Sequence, residues 1–301
     1  MTTTQAKTQK GRDVSVVDTT LLPWELVVPN PRGGDVFRKV IRTAEGGRQV
    51  SYDVRLERFG EGDRAYSSIR HRHDFEQLRF AASGRMDLGF AVLEEGDVGY
   101  FPANAYYGPQ TCDGAVVLIV QWGDRFLTKA QNDAAVVALS EHGEFVDGIY
   151  RGVDGNGKPF NKDPLNAIWE QVFGEPYVPQ TPRYRQPILM TPRAFGWRDA
   201  SGPVQVRRLG QFAENGLEVE MVRWARDGVA TLKSADDERP SLLFTSNGSF
   251  SATGATGTDA TGFGPQTGVW TDPFRSLDVT ATEGSEALHV RFPPPSAKLT
   301  S

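Results

Sequence analysis

The sequence predicts an all-β protein in which two β-rich halves are joined by a short helical connector. Short apolar runs alternate with turn-forming residues, and the 301-residue chain contains 32 glycines and 19 prolines. Several such runs at close spacing are typical of sandwiches and barrels rather than of alternating strands and helices. The chain is long enough for two ordinary domains, each with its own hydrophobic core.

The first half carries the densest series of predicted strands. The segment 51–59, SYDVRLERF, alternates apolar and polar residues, which predicts a strand with one buried face. Further strands are predicted at residues 77–83, 86–93, 97–102 and 114–122. These elements define an N-terminal barrel over residues 21–125, preceded by a polar segment, residues 1–20, that we expect to be a disordered leader.

The composition then becomes helix-forming, and residues 126–186 are predicted to form a helical connector and linker. Its second helix should begin where Asp163 caps the N-terminus and Pro164 takes the first position, and it should end at Gly174. Short β-type runs return afterwards, so residues 187–301 are predicted to form a second, C-terminal barrel.

The charge and the cysteine content limit the classes of partner. A formal net charge of -5 argues against nucleic acid or an anionic membrane surface as the main partner. Cys112 is the only cysteine, which excludes an intrachain disulfide and fits a reducing compartment. No apolar stretch is long enough to cross a bilayer, and the polar N-terminal segment does not resemble a signal peptide. We therefore expect a cytoplasmic protein that acts on a small molecule, and a homodimer is compatible with the sequence.

Two of the four histidines stand close together in the segment IRHRHDFEQLRF. Side chains alternate faces along a strand, so His71 and His73 should project to the same side, and Gln77 should join them if the strand continues. Two imidazoles and an amide oxygen that converge inside a barrel can bind a divalent metal ion. Because the segment contains no thiolate, nothing favours a structural zinc site.

This segment resembles the first motif of the cupin superfamily, which has the form H-x-H, three or four residues, Glu or Gln, six residues and Gly. Here His71, His73 and Gln77 are followed by Gly84 at the matching distance. The motif is specific enough to imply the cupin fold, with the histidines and the glutamine as metal ligands.

The second cupin motif has the form Gly, five residues, Pro, one residue, Gly, two residues and His. Gly96 and Pro102 stand at the expected positions, whereas Asn104 replaces the second glycine. Asparagine adopts the left-handed conformation more readily than most residues, so this change is mild. Tyr107 occupies the position of the final histidine and is the larger departure from the motif.

The resemblance implies two jelly-roll barrels, of which the N-terminal one carries the metal site and the C-terminal one is degenerate. The implied ligand set is His71, His73, Gln77 and Tyr107. A shift of one residue would replace Gln77 by Glu76 or Tyr107 by Tyr106, and the sequence leaves both pairs open. The aligned positions of the second half hold no histidine: they are Ala235, Asp237, Ser241 and Asp278.

The cupin repertoire includes metal-dependent dioxygenases, isomerases, lyases and decarboxylases, as well as storage and sensor proteins. We expect an enzyme with one divalent metal ion, Fe(II) in the first place, with Ni, Mn, Cu and Zn as alternatives. The expected reaction is a dioxygenase-type oxidation of a small oxygenated substrate, aromatic or enolic. A non-redox lyase or isomerase, and a ligand-binding protein without turnover, are the alternatives. Tyr107 would be a metal ligand or a proton donor, and Arg79 would bind an anionic substrate or form a plain salt bridge.

Overall fold

The computed structural model describes residues 14–28, 30, 32–43, 50–124, 126–146, 148–212, 216–254 and 262–295. They contain two α-helices, many antiparallel strands, and 3-10 helices at Thr19–Leu21, Gly62–Arg64 and Pro192–Ala194. The predicted all-β class is thus confirmed. Contacts divide the described residues into two compact units, one within residues 23–191 and one that combines residues 14–22 with those from 192 to 295.

The first unit contains a jelly-roll barrel. Strand β1 (Val14–Asp18) belongs to the second unit. The first unit holds β2 (Glu25–Leu26), β3 (Val36–Arg42), β4 (Ser51–Phe59), β5 (Tyr66–Ser68), β6 (Glu76–Ser83), β7 (Met86–Asp87), β8 (Val92–Leu93), β9 (Val98–Phe101), β10 (Gln110–Cys112), β11 (Val116–Gly123), β12 (Gly143–Val146), β13 (Ile149–Val153), β14 (Pro159–Lys162) and β15 (Ile188–Met190). One sheet has the order β15-β9-β6-β11-β4-β3-β2, and a second has the order β5-β10-β7-β8. Side chains from both sheets share one hydrophobic core.

Strand β4 coincides with the predicted segment 51–59, but both of its faces are buried instead of one. Its polar residues Asp53, Arg55 and Glu57 lie on the same face as Phe59, which belongs to the barrel core. The prediction of a single buried face is therefore wrong. The charged residues of this strand are tolerated inside the barrel because they pair with one another.

The connector contains more strand than predicted. Helices α1 (Lys129–Ser140) and α2 (Pro164–Phe173) flank an antiparallel sheet with the order β12-β13-β14. Helix α2 confirms its predicted boundaries, since Asp163 caps it and Gly174 ends it with a φ of 69°. Strand β14, with the sequence PFNK, escaped prediction because it is poor in β-forming residues. Strands β12 and β13 were missed because they are only four and five residues long.

The second unit repeats the barrel. Its remaining strands are β16 (Arg198–Asp199), β17 (Val204–Phe212), β18 (Leu217–Trp224), β19 (Gly228–Lys233), β20 (Ser241–Asn247), β21 (Phe250–Gly254), β22 (Gly262–Phe263), β23 (Thr267–Thr271), β24 (Leu277–Ala281) and β25 (Glu286–Arg291). The larger sheet has the order β1-β23-β20-β25-β18-β17-β16, and the smaller has the order β19-β24-β21-β22. One core again draws on both sheets, so the predicted pair of jelly-roll barrels is confirmed.

Two segments fall in a different unit from the one predicted. Residues Val14–Asp18, expected within a disordered leader, form β1 and pair along their whole length with β23. Strand β15, expected at the start of the C-terminal domain, pairs with β9 of the first barrel. Both are edge strands, which are positioned by backbone hydrogen bonds that residue composition does not encode. The leader prediction for residues 1–13 lies outside the described residues.

Candidate functional site

The predicted ligands His71 and Tyr107 are joined through their backbones. They form an isolated antiparallel bridge, with hydrogen bonds of 3.0 Å in both directions. The continuous strand from His71 to Gln77 on which the prediction depended is absent, because residues 72–75 are loop and bend before β6 begins. The bridge, and not strand alternation alone, therefore brings the first histidine and the tyrosine together.

The three aromatic rings of the cluster lie close to one another. The ring centroids of His71 and His73 are 5.1 Å apart, and the Tyr107 ring lies 4.5 Å from the first and 5.9 Å from the second. His71 Nδ1 lies 2.7 Å from the carbonyl oxygen of Ile69. A carbonyl oxygen can only accept, so Nδ1 carries the proton and Nε2 keeps its lone pair for a ligand.

Both imidazoles are held neutral by their surroundings. Burial, together with the positive charges of Arg32 and Arg79, lowers the pKa of His71 to about 3, against the opposing effect of its hydrogen bond with Ile69. Burial also holds the pKa of His73 well below its usual value, although part of this side chain still reaches solvent. The positive charges of Arg32, Arg79 and Arg55 act in the same direction. The neutral form is the one that binds a metal ion.

Gln77, Arg79 and Tyr107 form a buried chain of hydrogen bonds. Arg79 Nε donates to Gln77 Oε1 at 2.6 Å, and one terminal nitrogen donates to the Tyr107 hydroxyl at 3.2 Å. The other terminal nitrogen lies 3.2 Å from the sulfur of Met86. Burial raises the pKa of Tyr107 to about 12, although Arg79 acts in the opposite direction. The phenol therefore keeps its proton at neutral pH.

The sequence did not decide between Gln77 and Glu76 or between Tyr107 and Tyr106, and the structure places the two members of each pair differently. Glu76 lies on the other face of β6, where its carboxylate accepts from the Tyr100 hydroxyl at 2.8 Å. Tyr106 is 41% exposed, and two arginine guanidinium groups cover its ring outside the histidine cluster. Gln77 and Tyr107, the residues originally assigned, are the members of each pair that join the buried chain.

A buried ion-pair network near the cluster was missed by sequence reasoning. Arg55 pairs with Asp53 and, at 2.8 Å, with Glu57, and it donates to Gln121 Oε1 at 2.9 Å. Burial tends to raise the pKa of Glu57, but Arg55 and Arg38 outweigh it and hold the pKa at about 2. The alternation in SYDVRLERF, which places these charges on one face, was the signal that could have revealed the network.

Arg32 is a second residue that the sequence did not single out. Its side chain is 7% exposed, and one terminal nitrogen lies 3.2 Å from Asp163, the residue that caps α2. Its other terminal nitrogen is buried and has no hydrogen-bond partner in the described part of the chain. The charge of Arg32 lowers the pKa of both His71 and Tyr107. No local sequence motif predicts this contact, because Arg32 and Asp163 are 131 positions apart.

The side chains of the cluster fit a divalent metal ion. Two neutral imidazoles and the Gln77 oxygen, which has a second lone pair beyond its bond to Arg79, supply three donor atoms. Among the described residues, no group of three or more His, Cys, Asp or Glu side chains is placed to hold a metal ion.

In the second barrel, the positions that align with the predicted metal ligands hold residues with other partners. Asp237 forms an ion pair with Arg239 at 3.0 Å, and Asp278 accepts from the hydroxyl of Thr231 at 2.6 Å. The one histidine of this barrel, His289, has its Nδ1 3.1 Å from the Glu220 carboxylate. A pair of histidines like that of the first barrel does not occur here.

Solved structures match the fold along nearly the whole chain. A candidate dioxygenase from Nostoc punctiforme matches with a TM-score of 0.61 at 12% identity, over 96% of this chain and 85% of its own. Streptomyces albus HEPD, with 2-hydroxyethylphosphonate and Fe(II) bound, has a TM-score of 0.56 at 11% identity and coverages of 96% and 78%. Lactobacillus farciminis oxalate decarboxylase, in a formate complex, has a TM-score of 0.53 at 12% identity and coverages of 93% and 86%. No family model and no curated protein matches the sequence. The chain has the cupin fold that its motifs implied.

A separate cleft of about 530 Å³ lies elsewhere in the first unit. It is lined by Phe90, Ala91 and residues 184–189, and it contains none of the predicted site residues. The histidine cluster inside the barrel, which combines donor atoms with buried charge, is therefore the candidate site. No helix in the described ranges is long and apolar enough to span a membrane.

Proposed function

We propose that this protein is a metal-dependent cupin enzyme that uses Fe(II) and O₂ to oxidise a small oxygenated organic substrate. The observation that carries the proposal is the pair of neutral imidazoles, His71 and His73, packed against Tyr107, which Arg79 joins to the Gln77 oxygen. Three neutral donors leave coordination positions and positive charge available, as a catalytic site needs and a closed structural site does not. When bound, the metal ion supplies redox and Lewis-acid chemistry. The Fe(II) bound to Streptomyces albus HEPD supports the choice of metal, and Ni, Mn, Cu and Zn are the alternatives.

The chain's own residues have separate roles in this proposal. His71, His73 and Gln77 hold the ion, and the carbonyl of Ile69 fixes the orientation of the first imidazole. Tyr107 keeps its proton and offers it to a substrate oxygen, because burial raises its pKa and Arg79 already donates to its oxygen. We thus assign Tyr107 as a proton donor in preference to a metal ligand. The buried barrel interior keeps bulk water away from this proton.

A non-redox lyase or decarboxylase is the second candidate. It is favoured by the same protonated Tyr107, which is placed to deliver a proton to a carbanion or an enolate. The fold shared with oxalate decarboxylase is compatible with this reading. The two candidates differ in whether O₂ is consumed.

Oxygen uptake separates these candidates. The metal-free protein is loaded anaerobically with Fe(II) and mixed with small hydroxy acids, enols and catechols in an oxygen electrode. We expect oxygen consumption that depends on substrate and is lost in His73→Ala. The matched control is His142→Ala, which changes an exposed turn residue after α1. This variant should retain full activity. Product formed without oxygen uptake would select the lyase, and turnover that survives in His73→Ala would contradict both candidates.

A further inference from the structure

Two buried arginines on the inner face of the first barrel differ in whether a carboxylate pairs with them. Arg55 is paired with two carboxylates, those of Asp53 and Glu57. Arg79 is 5% exposed and has no carboxylate partner among the residues that the structure describes. A guanidinium carries a full positive charge, and burying such a charge without a counter-ion is costly. The barrel therefore contains one buried arginine with carboxylate partners, Arg55, and one without them, Arg79.

The hydrogen bonds of Arg79 leave part of its guanidinium group unused. A guanidinium has five N–H donors. Three of them are directed at uncharged acceptors: the Gln77 oxygen, the Met86 sulfur and the Tyr107 hydroxyl. One donor therefore remains on each terminal nitrogen, and such a pair matches the two oxygens of a carboxylate. The ring of Phe101, 4.5 Å from the guanidinium carbon, holds the group in place.

A second cation lies near the same cluster. Arg32 is anchored through one terminal nitrogen to Asp163. Its other terminal nitrogen is buried and has no hydrogen-bond partner in the described ranges. Since Asp163 also caps α2, the guanidinium is held by a fixed element rather than by a loose side chain. Two arginines with unused donors thus act electrostatically on a cluster whose metal-binding groups are all neutral, since both lower the pKa of His71.

We propose that Arg79 binds a carboxylate group of the substrate inside the first barrel, with Tyr107 as a further donor and Arg32 as a nearby second cation. This narrows the substrate class of the proposed function to small organic acids, and it rests on that function only in taking the bound acid to be the substrate. The anion site itself requires no metal. Because the metal ligands are neutral and the arginines are positive, a bound carboxylate also raises the affinity of the site for a divalent ion, and the ion raises the affinity for the carboxylate by the same factor.

Formate binding to the metal-free, full-length protein tests the proposal. The probe is ¹³C-formate, followed by NMR titration, and the matched neutral probe is formamide, which has the same size. We expect saturable formate binding that is at least tenfold tighter than formamide binding. Arg79→Gln should weaken formate binding at least tenfold, Arg79→Lys should weaken it less, and Tyr107→Phe should weaken it a few-fold. Arg208→Gln, at an exposed position of the second barrel, removes the same charge and should change nothing.

Formate affinity that is unchanged in Arg79→Gln, or formamide binding as tight as formate binding, overturns the proposal. If Arg79→Gln does not fold, Arg79→Lys and Tyr107→Phe decide, and unchanged affinity in both overturns it. The metal is tested separately, by repeating a Mn(II) titration with and without formate. Arg79-dependent formate binding in a protein that takes up no metal would refute the proposed function and leave the anion site standing. Metal binding in a protein that does not bind formate would refute the anion site and leave the proposed function standing.

Discussion

In the first barrel, the inward-facing row across β6, β11 and β4 consists of Arg79, Ile119 and Arg55. The equivalent row across β20, β25 and β18 of the second barrel consists of Leu243, His289 and Glu220. The rows are equivalent because QLRFAASG and SLLFTSNG occupy the same strand in the same sheet order, and the final glycine of each has a positive φ. The two barrels thus share a backbone plan and differ in the charge at matching positions.

The difference supports the proposal that the first barrel binds a ligand and the second has a structural role. In the second barrel the charged members of these strands have partners within the chain: the Glu220 carboxylate lies 3.1 Å from His289 Nδ1, and Arg291 pairs with Glu218. In the first barrel Arg79 keeps unused donors beside two neutral imidazoles. Charges that are paired internally need no ligand, whereas an unpaired buried cation is stabilised when an anion enters.

Exchanging the residues that distinguish the two rows should have the largest effect on stability. Leu243 is fully buried, so Leu243→Arg should lower the free energy of unfolding by about 3–5 kcal/mol, since it buries a charge without a dedicated partner. Arg79→Leu, the reverse change, should raise it by about 1 kcal/mol while formate binding is lost. Urea unfolding followed by tryptophan fluorescence measures both changes. A Leu243→Arg variant as stable as the parent would show that the second barrel also accommodates a cation.

The ion-pair network of the first barrel should give a smaller effect that depends on pH. Arg55 and Arg38 outweigh burial and hold the pKa of Glu57 at about 2, below its ordinary value of 4.5. Its contribution to stability is therefore fully present above pH 4.5 and is lost as the pH falls toward 2. Glu57→Gln should cost about 3 kcal/mol at pH 7, and this difference from the parent should shrink by about 1.4 kcal/mol per pH unit below pH 4.5.

Urea unfolding of both proteins between pH 7 and pH 3 checks this expectation. The exposed Glu61 in the same unit provides the control, and Glu61→Gln should change stability little at any pH. A difference between Glu57→Gln and the parent that stays constant down to pH 3 would mean that this carboxylate is not held ionised by its arginines.

Local signals in the sequence predicted much of the fold. Strand β4 and the caps of α2 follow from alternation and from end-signal residues, and Asn104 adopts the left-handed φ of 63° expected at a motif glycine. The edge strand β1 was not predictable, because it pairs with a strand about 250 residues away whose register no local pattern specifies.

The residues of the candidate site that belong to the sequence motifs were predictable. Those whose role depends on the pairing of buried charges were not. His71, His73, Gln77 and Tyr107 were read directly from motif spacing, and the structure brings them together. Arg32 was not, because its role depends on a contact with Asp163 across 131 positions. Whether a buried charge is paired is a property of the folded barrel, so sequence alone left two roles open for Arg79.

The metal content of paired variants shows whether the first barrel carries the metal site and the second does not. The protein is loaded with Fe(II), desalted, and analysed by mass spectrometry of the metals. We expect up to one divalent ion per chain in the parent and in His289→Ala, and loss of the ion in the double variant His71→Ala/His73→Ala with the fold retained. A double variant that keeps its full metal content, or a His289→Ala variant that loses it, would contradict the account.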